Sequence, residues 1–343
     1  MRHAVEDPAV QARSTPERLL HVDPVRGTLV DRSVEALVEL LRPGDLLVVN
    51  DAATLPASLT GCTGRGEPIE IRLAGEESDG TWRTVAFGAG DWRTPTESRP
   101  PPPLLFPGDA LRLGPGLRAR VTALSELSSR LLWVRFERSR EQVLAALYLR
   151  GRPVQYAYEP DPLPLSRVQT PYAARPWASE MPSAGRPLRL SMLARIRARG
   201  VGLAWLTHAA GLSSTGDPRL DAALPLPERY DIPPATVAAI AATRRRGGRV
   251  VAVGTTVVRA LEGATHARGE LVPGEGTTDL RIARGFVPRV VNGLLSGIHA
   301  RDSSHFDLLA AFLPAPLELL YPLHVAAGGY RGHEFGDSTL VLG

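Results

Sequence analysis

The chain has 343 residues, 43% apolar and 22% charged, with a formal net charge of +4. Every one of its 40 strongly basic residues is arginine, so lysine Schiff-base chemistry and a phosphate-loop lysine are excluded. Cys62 is the only cysteine, which excludes an internal disulfide and a multi-cysteine zinc site. The modest positive charge permits an anionic partner such as RNA without requiring one.

In chain order, the first twenty residues mix both charge signs and lack an apolar core. No signal peptide is therefore expected, and a cytoplasmic location is the default. Residues 1–32 read as irregular chain with one short strand. Val34, Leu37, Val38 and Leu41 have helical spacing. Pro43-Gly44-Asp45 ends that helix, and DLLVVND follows as a short, continuously apolar, buried strand. From Gly61 to about Pro153 the texture changes. PIEIRLAG, TWRTVAFG, ALRLG, LRARVTAL and LLWVRFE alternate apolar and polar residues between Gly, Pro and Asp, the pattern of an antiparallel sheet or small barrel. The Pro-rich run Arg99 to Asp109 is a stiff connector within it.

From about Val154, helices and strands alternate again. LRLSMLARIRARGVGLAWLTH predicts a helix, a stop at Gly200 and a strand ending at His208. IPPATVAAIAATRRRGG predicts a helix with Pro at its start, Arg in its last turn and Gly beyond. There the three arginines complement the helix dipole on a solvated face, or touch RNA. The weakly charged run Leu308 to Gly329 contains Glu318 and three prolines, and reads as buried helices, not a membrane span. The expected fold is α/β: an open α/β main domain (1–60 and 154–343) with an inserted antiparallel β-barrel domain (61–153).

Several stretches can carry chemistry. GGRVVAVGTTVVRALEG predicts a strand, a Gly-Thr-Thr turn and a helix. Free backbone N–H groups and two hydroxyls at a positive helix end suit an anion, a carboxylate or a ribose hydroxyl, although a Thr helix cap is an equally ordinary use. Arg259 and Glu262 stand three apart and can pair. In GIHARDSSHFD, His299, Asp302 and His305 have the spacing of a metal triad. Ser304 with Asp307 instead reads as a capping box, which leaves His299 in the preceding loop as a binding or acid/base candidate. No metal is expected. His208 and Asn50-Asp51 each close a strand, where open α/β sheets gather ligands. His333, Glu334 and Asp337 surround Gly336 before a final strand. No G-x-S-x-G elbow is present, against acyl hydrolysis.

Taken together, the segments GDLLVVNDAATLPASLTG, VQTPYA, EMPSAGRP, WLTHAAG, AVGTTVVRALE and FGDSTLVL resemble, in order, motifs of the S-adenosylmethionine:tRNA ribosyltransferase-isomerase family of queuosine biosynthesis. The resemblance runs from about Arg42 to the carboxyl end. It implies an α/β domain with an inserted β-barrel, S-adenosylmethionine as ribosyl donor, and an aminomethyl-deazaguanine wobble base of tRNA as acceptor. It implies a donor site at Thr255, Thr256, Arg259 and Glu262, with Ser183, Ala184 and Gly185 as a backbone contact loop and His208 nearby. His299, Glu228 and Asp51 become the acid/base or ribose-binding candidates, with His333 a weaker one.

The chain departs from the family's motifs at definite places. Ala52 and Ala53 stand where Thr and Arg are usual, the AGRPL segment lacks a family His, and Arg301-Asp302 replaces a Pro-Lys pair. These departures keep two further classes open: a divergent paralogue with a non-tRNA acceptor, and a catalytically inactive binding protein. Oligomeric state is not legible.

Overall fold

The apolar runs Leu46–Asn50 and Val250–Val253 are buried along their whole length, as strands covered on both faces must be. They form the middle of the sheet in a computed structural model that describes residues 17–114 and 116–343. The amino-terminal part of the expected irregular segment, 1–16, lies outside the described residues.

In chain order the strands are β1 (Arg18–Asp23), β2 (Thr28–Ser33), β3 (Leu46–Asn50), β4 (Ala52–Thr54), β5 (Ser58–Thr63), β6 (Pro68–Glu76), β7 (Trp82–Phe87), β8 (Ala110–Arg112), β9 (Arg118–Leu124), β10 (Leu131–Phe136), β11 (Arg175–Ala178), β12 (Gly202–His208), β13 (Glu228–Ile232), β14 (Val250–Val253), β15 (Gly274–Thr278), β16 (Gly293–Gly297) and β17 (Ser338–Val341). The helices are α1 (Leu37–Leu40), α2 (Arg140–Arg150), α3 (Leu190–Ala198), α4 (Pro218–Asp221), α5 (Pro234–Arg245), α6 (Thr255–Arg268), α7 (Ser304–Ala310) and α8 (Ala315–Ala327).

Nine strands make one mixed sheet in the order β15-β13-β12-β3-β14-β16-β17-β1-β2. Its centre, β12-β3-β14-β16, is parallel, and helices cover it. Strands β5 to β10 close into a barrel, antiparallel at every pairing. The expected α/β fold with an inserted antiparallel barrel is what the chain adopts. The insertion leaves the sheet just after β4 and returns at β11, and these two short strands pair side by side in parallel.

Some expectations need correction. The early segment holds two strands where one was expected, because β1 and β2 form a hairpin that β17 extends. The Val34–Leu41 helix is a single 3₁₀ turn, Val34–Ala36, followed by the four-residue α1. The cap of α7 is Ser303, whose hydroxyl accepts Phe306 N–H at 3.2 Å, and Ser304 is already helical. Pro322 lies inside α8, and that helix leaves Leu319 and Leu323 exposed, so the run is not wholly buried.

The barrel also buries a cluster of charge. Glu70 accepts from Arg72 at 2.8 Å and from Arg99 at 2.7 Å, and the three side chains are all nearly inaccessible. Burial opposes ionisation of Glu70, but the two guanidiniums hold its carboxyl below the usual range. The Phe87 ring underlies Arg72, Arg99 and Arg130 at 4.6, 5.1 and 4.8 Å. Glu70→Gln would strand two buried cations. Urea unfolding is expected to show a loss of about 3–5 kcal/mol, the cost of breaking a buried pair from one side. A loss below about 1 kcal/mol would mean that water or neighbouring carbonyls already balance the arginines.

Candidate active site

The parallel strands end on one side of the sheet, and the polar side chains gather there. β14 stops at Val253 and the chain turns into α6 at Gly254, whose φ of 94° is open to glycine and costly to other residues. A β-carbon at Gly254 would also stand 3.4 Å from the Ala184 methyl. The turn and the Ser183–Gly185 segment are thus in contact. No side chain caps α6. Thr255 and Thr256 lie in its first turn, half-buried, and are not caps as an ordinary helix start would have them. The N–H groups of that turn face the strand ends at the positive pole of a 14-residue helix.

Asn50 and His208 close the neighbouring strands. Asn50 Nδ2 donates to the His208 carbonyl at 3.0 Å and to Thr256 Oγ1 at 3.3 Å, and Asn50 Oδ1 accepts the His208 N–H at 2.9 Å. Asn50 thereby bolts two strand ends to the first turn of α6. Glu228, at the start of β13, accepts the Gly211 N–H at 2.6 Å and is paired with the Arg259 guanidinium. His208 Nε2 is 3.4 Å from the same carboxylate. All three side chains are buried. Both ring nitrogens of His208 and Nη2 of Arg259 nevertheless lack a hydrogen-bond partner among the described residues. Three buried polar atoms are thus left open within one group at the strand ends.

His299 lies in the loop after β16, as expected. Ser296 Oγ is 2.7 Å from its Nε2, and its ring stacks on His305 at 5.0 Å. His305 feels the charges of Glu228 and Arg259, which ties this pair of rings to the group around His208. Asp302 is exposed, and among the described residues no cluster of three or more His, Cys, Asp or Glu is arranged to hold a metal.

The anticipated residues do not all converge. Arg259 pairs with Glu228 instead of Glu262. Glu262 is buried deeper along α6, where its carboxylate accepts the N–H groups of Arg289, Val290 and Val291 at 2.9, 2.9 and 3.0 Å. Both of its oxygens are thus turned to a loop. Asp51 follows Asn50, so its side chain emerges on the other face of the sheet. There it accepts from Thr207 Oγ1 at 2.6 Å, beside the Arg175–Asp231 pair. Burial pushes the Asp51 carboxyl up, against the Thr207 hydrogen bond. Asp337 is buried and accepts the N–H groups of Arg18 and Arg331, which makes it a tie between chain ends.

A second polar group, of which the sequence reading named only His333 and Glu334, borders the same loops. Glu180 is bonded to the Tyr156 hydroxyl and accepts the Ser213 N–H at 3.0 Å. Tyr156 stacks on Tyr158, which is bonded to Glu334 and packs against His333. Burial, with a contribution from Glu334, raises Glu180 to about 7 despite its two hydrogen bonds. The EMPSAGRP motif contained Glu180, but its partners come from distant segments, so no local signal pointed to it.

Burial is also the main force on the histidines. It lowers His208 to about 4, with Glu228 opposing and Arg259 adding, and lowers His299 to about 3 with help from His305. His305 is lowered in the same way. These rings are neutral at pH 7, able to accept a proton or a hydrogen bond. An unfolded chain protonates them near pH 6.5, before the folded one does. Their stabilising effect is therefore complete above pH 6.5 and lost as the pH falls toward 4, on the order of 3 kcal/mol for His208 alone. The thermal midpoint is expected to fall across that window, with a shallower slope in His208→Asn; equal slopes would contradict a buried neutral His208. Glu180 has the opposite sign, because its raised carboxyl loses stability as the pH rises from about 4.5 to 7. Glu180→Gln is expected to match the parent at pH 5 and to melt higher at pH 8; an equal midpoint at pH 8 would show that Glu180 ionises freely.

Residues 3–341 match the family described as queuosine biosynthesis protein. The chain is 36% identical over 342 residues to an S-adenosylmethionine:tRNA ribosyltransferase-isomerase of Anaeromyxobacter dehalogenans, covering 97% of this chain and 95% of that one. It is 37% identical over 319 residues to a protein of that name from Thermus thermophilus, covering 91% and 88%. The crystal structure of S-adenosylmethionine tRNA ribosyltransferase from Thermotoga maritima superposes with a TM-score of 0.50 at 24% identity, covering 95% and 93% of the two chains, a likeness of fold. The chain belongs to the S-adenosylmethionine:tRNA ribosyltransferase-isomerase family and is an enzyme of that transferase-isomerase class.

Proposed function

We propose that this enzyme transfers and isomerises the ribosyl moiety of S-adenosylmethionine onto the 7-aminomethyl-7-deazaguanine wobble base of tRNA, forming epoxyqueuosine and releasing adenine and methionine. The observation that carries the reading is the uncapped first turn of α6 beside the Glu228–Arg259 pair, with His208 unpartnered next to it. Thr255, Thr256 and the N–H groups of that turn receive the donor's ribose hydroxyls or methionine carboxylate. Ser183, Ala184 and Gly185 form the wall opposite the turn. Arg259 presents its open Nη2 to the same carboxylate or hydroxyl.

The sulfonium acidifies the adjacent C5′ hydrogens, so a weak base placed beside them suffices. His299 is neutral at pH 7 and partly accessible, and we assign it the proton transfer. Glu228 holds Arg259 and the Gly211 turn in place and is the second acid/base candidate. Asp51 faces the Thr207–Arg175 side, where it acts on the barrel-linked strands and not on the donor. The chemistry assigned here uses no metal.

The direct test is mass spectrometry of wobble-position nucleosides after precursor tRNA is incubated with the enzyme and S-adenosylmethionine. A ribosylated, epoxide-bearing base is expected, and unchanged precursor would overturn the assignment. Undiminished release of adenine and methionine without RNA would instead indicate a non-tRNA acceptor. Calorimetry on Thr255→Val/Thr256→Val is expected to show S-adenosylmethionine binding weakened by about 1–3 kcal/mol, two lost hydrogen bonds. Parental affinity would return the turn to a purely structural role.

A further inference from the structure

At the opposite, amino-terminal ends of the same strands lies a groove of about 420 Å³ bordered by Arg197, Trp205 and Arg246. Three turns meet there: Gly44 N–H donates to Gly200 O at 2.9 Å, Gly202 N–H to Asp45 O at 2.8 Å, and Leu46 N–H to Arg249 O at 2.9 Å. These ties bring the last turns of α3 and α5 together at the start of β3. Strand β12 is paired with β3 from Gly202 to Leu206, but β13 reaches only Thr207 and His208. The other edge of residues 202–205 therefore has no strand beside it, and the Trp205 side chain is 54% exposed at that edge.

Asp45 lines this groove but is neutralised by Arg249, and the remaining charge there is positive. Arg42, Arg197, Arg199, Arg244, Arg245 and Arg246 are all exposed. The nearby Arg195 and Arg249 are paired with Glu35 and Asp45, whereas these six have no carboxylate at ion-pair distance among the described residues. Two helix carboxyl ends meeting at one place account for some basic residues there. They do not account for an open groove with an indole on its wall. Guanidiniums along a groove with an exposed aromatic ring are the recognition chemistry of a nucleic-acid strand: the arginines follow the phosphates and a base stacks on the ring.

We propose that this groove is a second RNA contact, in which a nucleotide of the substrate tRNA outside the modified position stacks on Trp205 while Arg197 and Arg246 hold its flanking phosphates. The identity of the occupant rests on the tRNA reading above. The start of β3 lies about 17 Å from the strand ends at roughly 3.3 Å per residue, and Trp205, paired with Val49, stands three residues before His208, so an RNA arm that delivers one base to the strand ends passes within reach of the groove. The neighbouring Arg42, Arg199, Arg244 and Arg245 extend the track.

The test uses the full chain and precursor tRNA in filter-binding titrations from about 50 to 200 mM salt, with kcat, KM and S-adenosylmethionine affinity measured beside them. For Arg197→Gln/Arg246→Gln, the slope of log affinity against log salt is expected to fall in magnitude by about 1.4–1.8, two phosphate contacts. Trp205→Ala is expected to weaken tRNA binding by about 5- to 100-fold, and Trp205→Phe to restore most of it. KM for tRNA rises in both cases, whereas kcat and donor affinity stay at the parental values. Parental affinity and salt slope in both variants would overturn the proposal, as would loss of binding in Trp205→Phe equal to that in Trp205→Ala. The two readings fail separately. If the parent binds tRNA through the groove but leaves it unmodified, the substrate assignment falls and the groove stands. If the parent modifies tRNA and the variants bind it normally, the groove falls alone.

Discussion

A single carboxylate, Glu228, organises the strand ends. It is buried, so its charge must be met by a cation and by hydrogen bonds, and Arg259 and the Gly211 N–H supply them. The consequence is spatial. Arg259 belongs to α6, Gly211 to the loop after β12 and Glu228 to β13, so one charge balance joins three elements that are far apart in sequence. The barrel is drawn into the same arrangement. Arg83 donates to the carbonyl of Pro227, the residue before Glu228, at 2.6 Å, and Arg229, the residue after it, reaches Glu76 at 3.0 Å. Removing either member of the Glu228–Arg259 pair would therefore disturb the barrel contact as well as the site.

The alternation of side chains along β3 and β12 divides the strand ends into two polar layers. Asn50 and His208 face α6 and the Glu228 pair. Asp51 and Thr207 face Arg175 and Asp231. A one-residue difference in sequence thus puts Asn50 on the α6 side of the strand ends and Asp51 on the Arg175 side. Glu262 illustrates the same effect on a helix. It lies three residues from Arg259, yet depth along α6 places it against backbone donors instead of the open end.

Much of the architecture was legible because it rests on local periodicity. The alternating runs of the barrel and the unbroken apolar runs of β3 and β14 each state their environment directly. The β1–β2 hairpin was obscured because β2 carries Asp31, Arg32 and Ser33 on a sheet edge, where little is buried. What fixes the hairpin in the sheet is the pairing of β1 with β17, at the far end of the chain. The Gly-Thr-Thr turn, His208, Arg259 and His299 stood out as candidates in local motifs, whereas Glu228 entered only through the family resemblance. Asp51 lies on the opposite face from Asn50, which sequence order alone does not reveal. Glu180 and Tyr156 were missed because their environment comes from four segments that only the tertiary fold assembles. His305 was visible as spacing, but its stacking on His299 was not.

The parallel pairing of β4 with β11 has a mechanical meaning. Both chain crossings into the barrel are clamped to one another, and Ala174 and Arg175 also donate to the Asp51 carbonyl at 2.8 and 3.3 Å. The barrel is therefore not a bead on a loose string. Its two stalks form a single paired unit tied to a strand end of the main sheet.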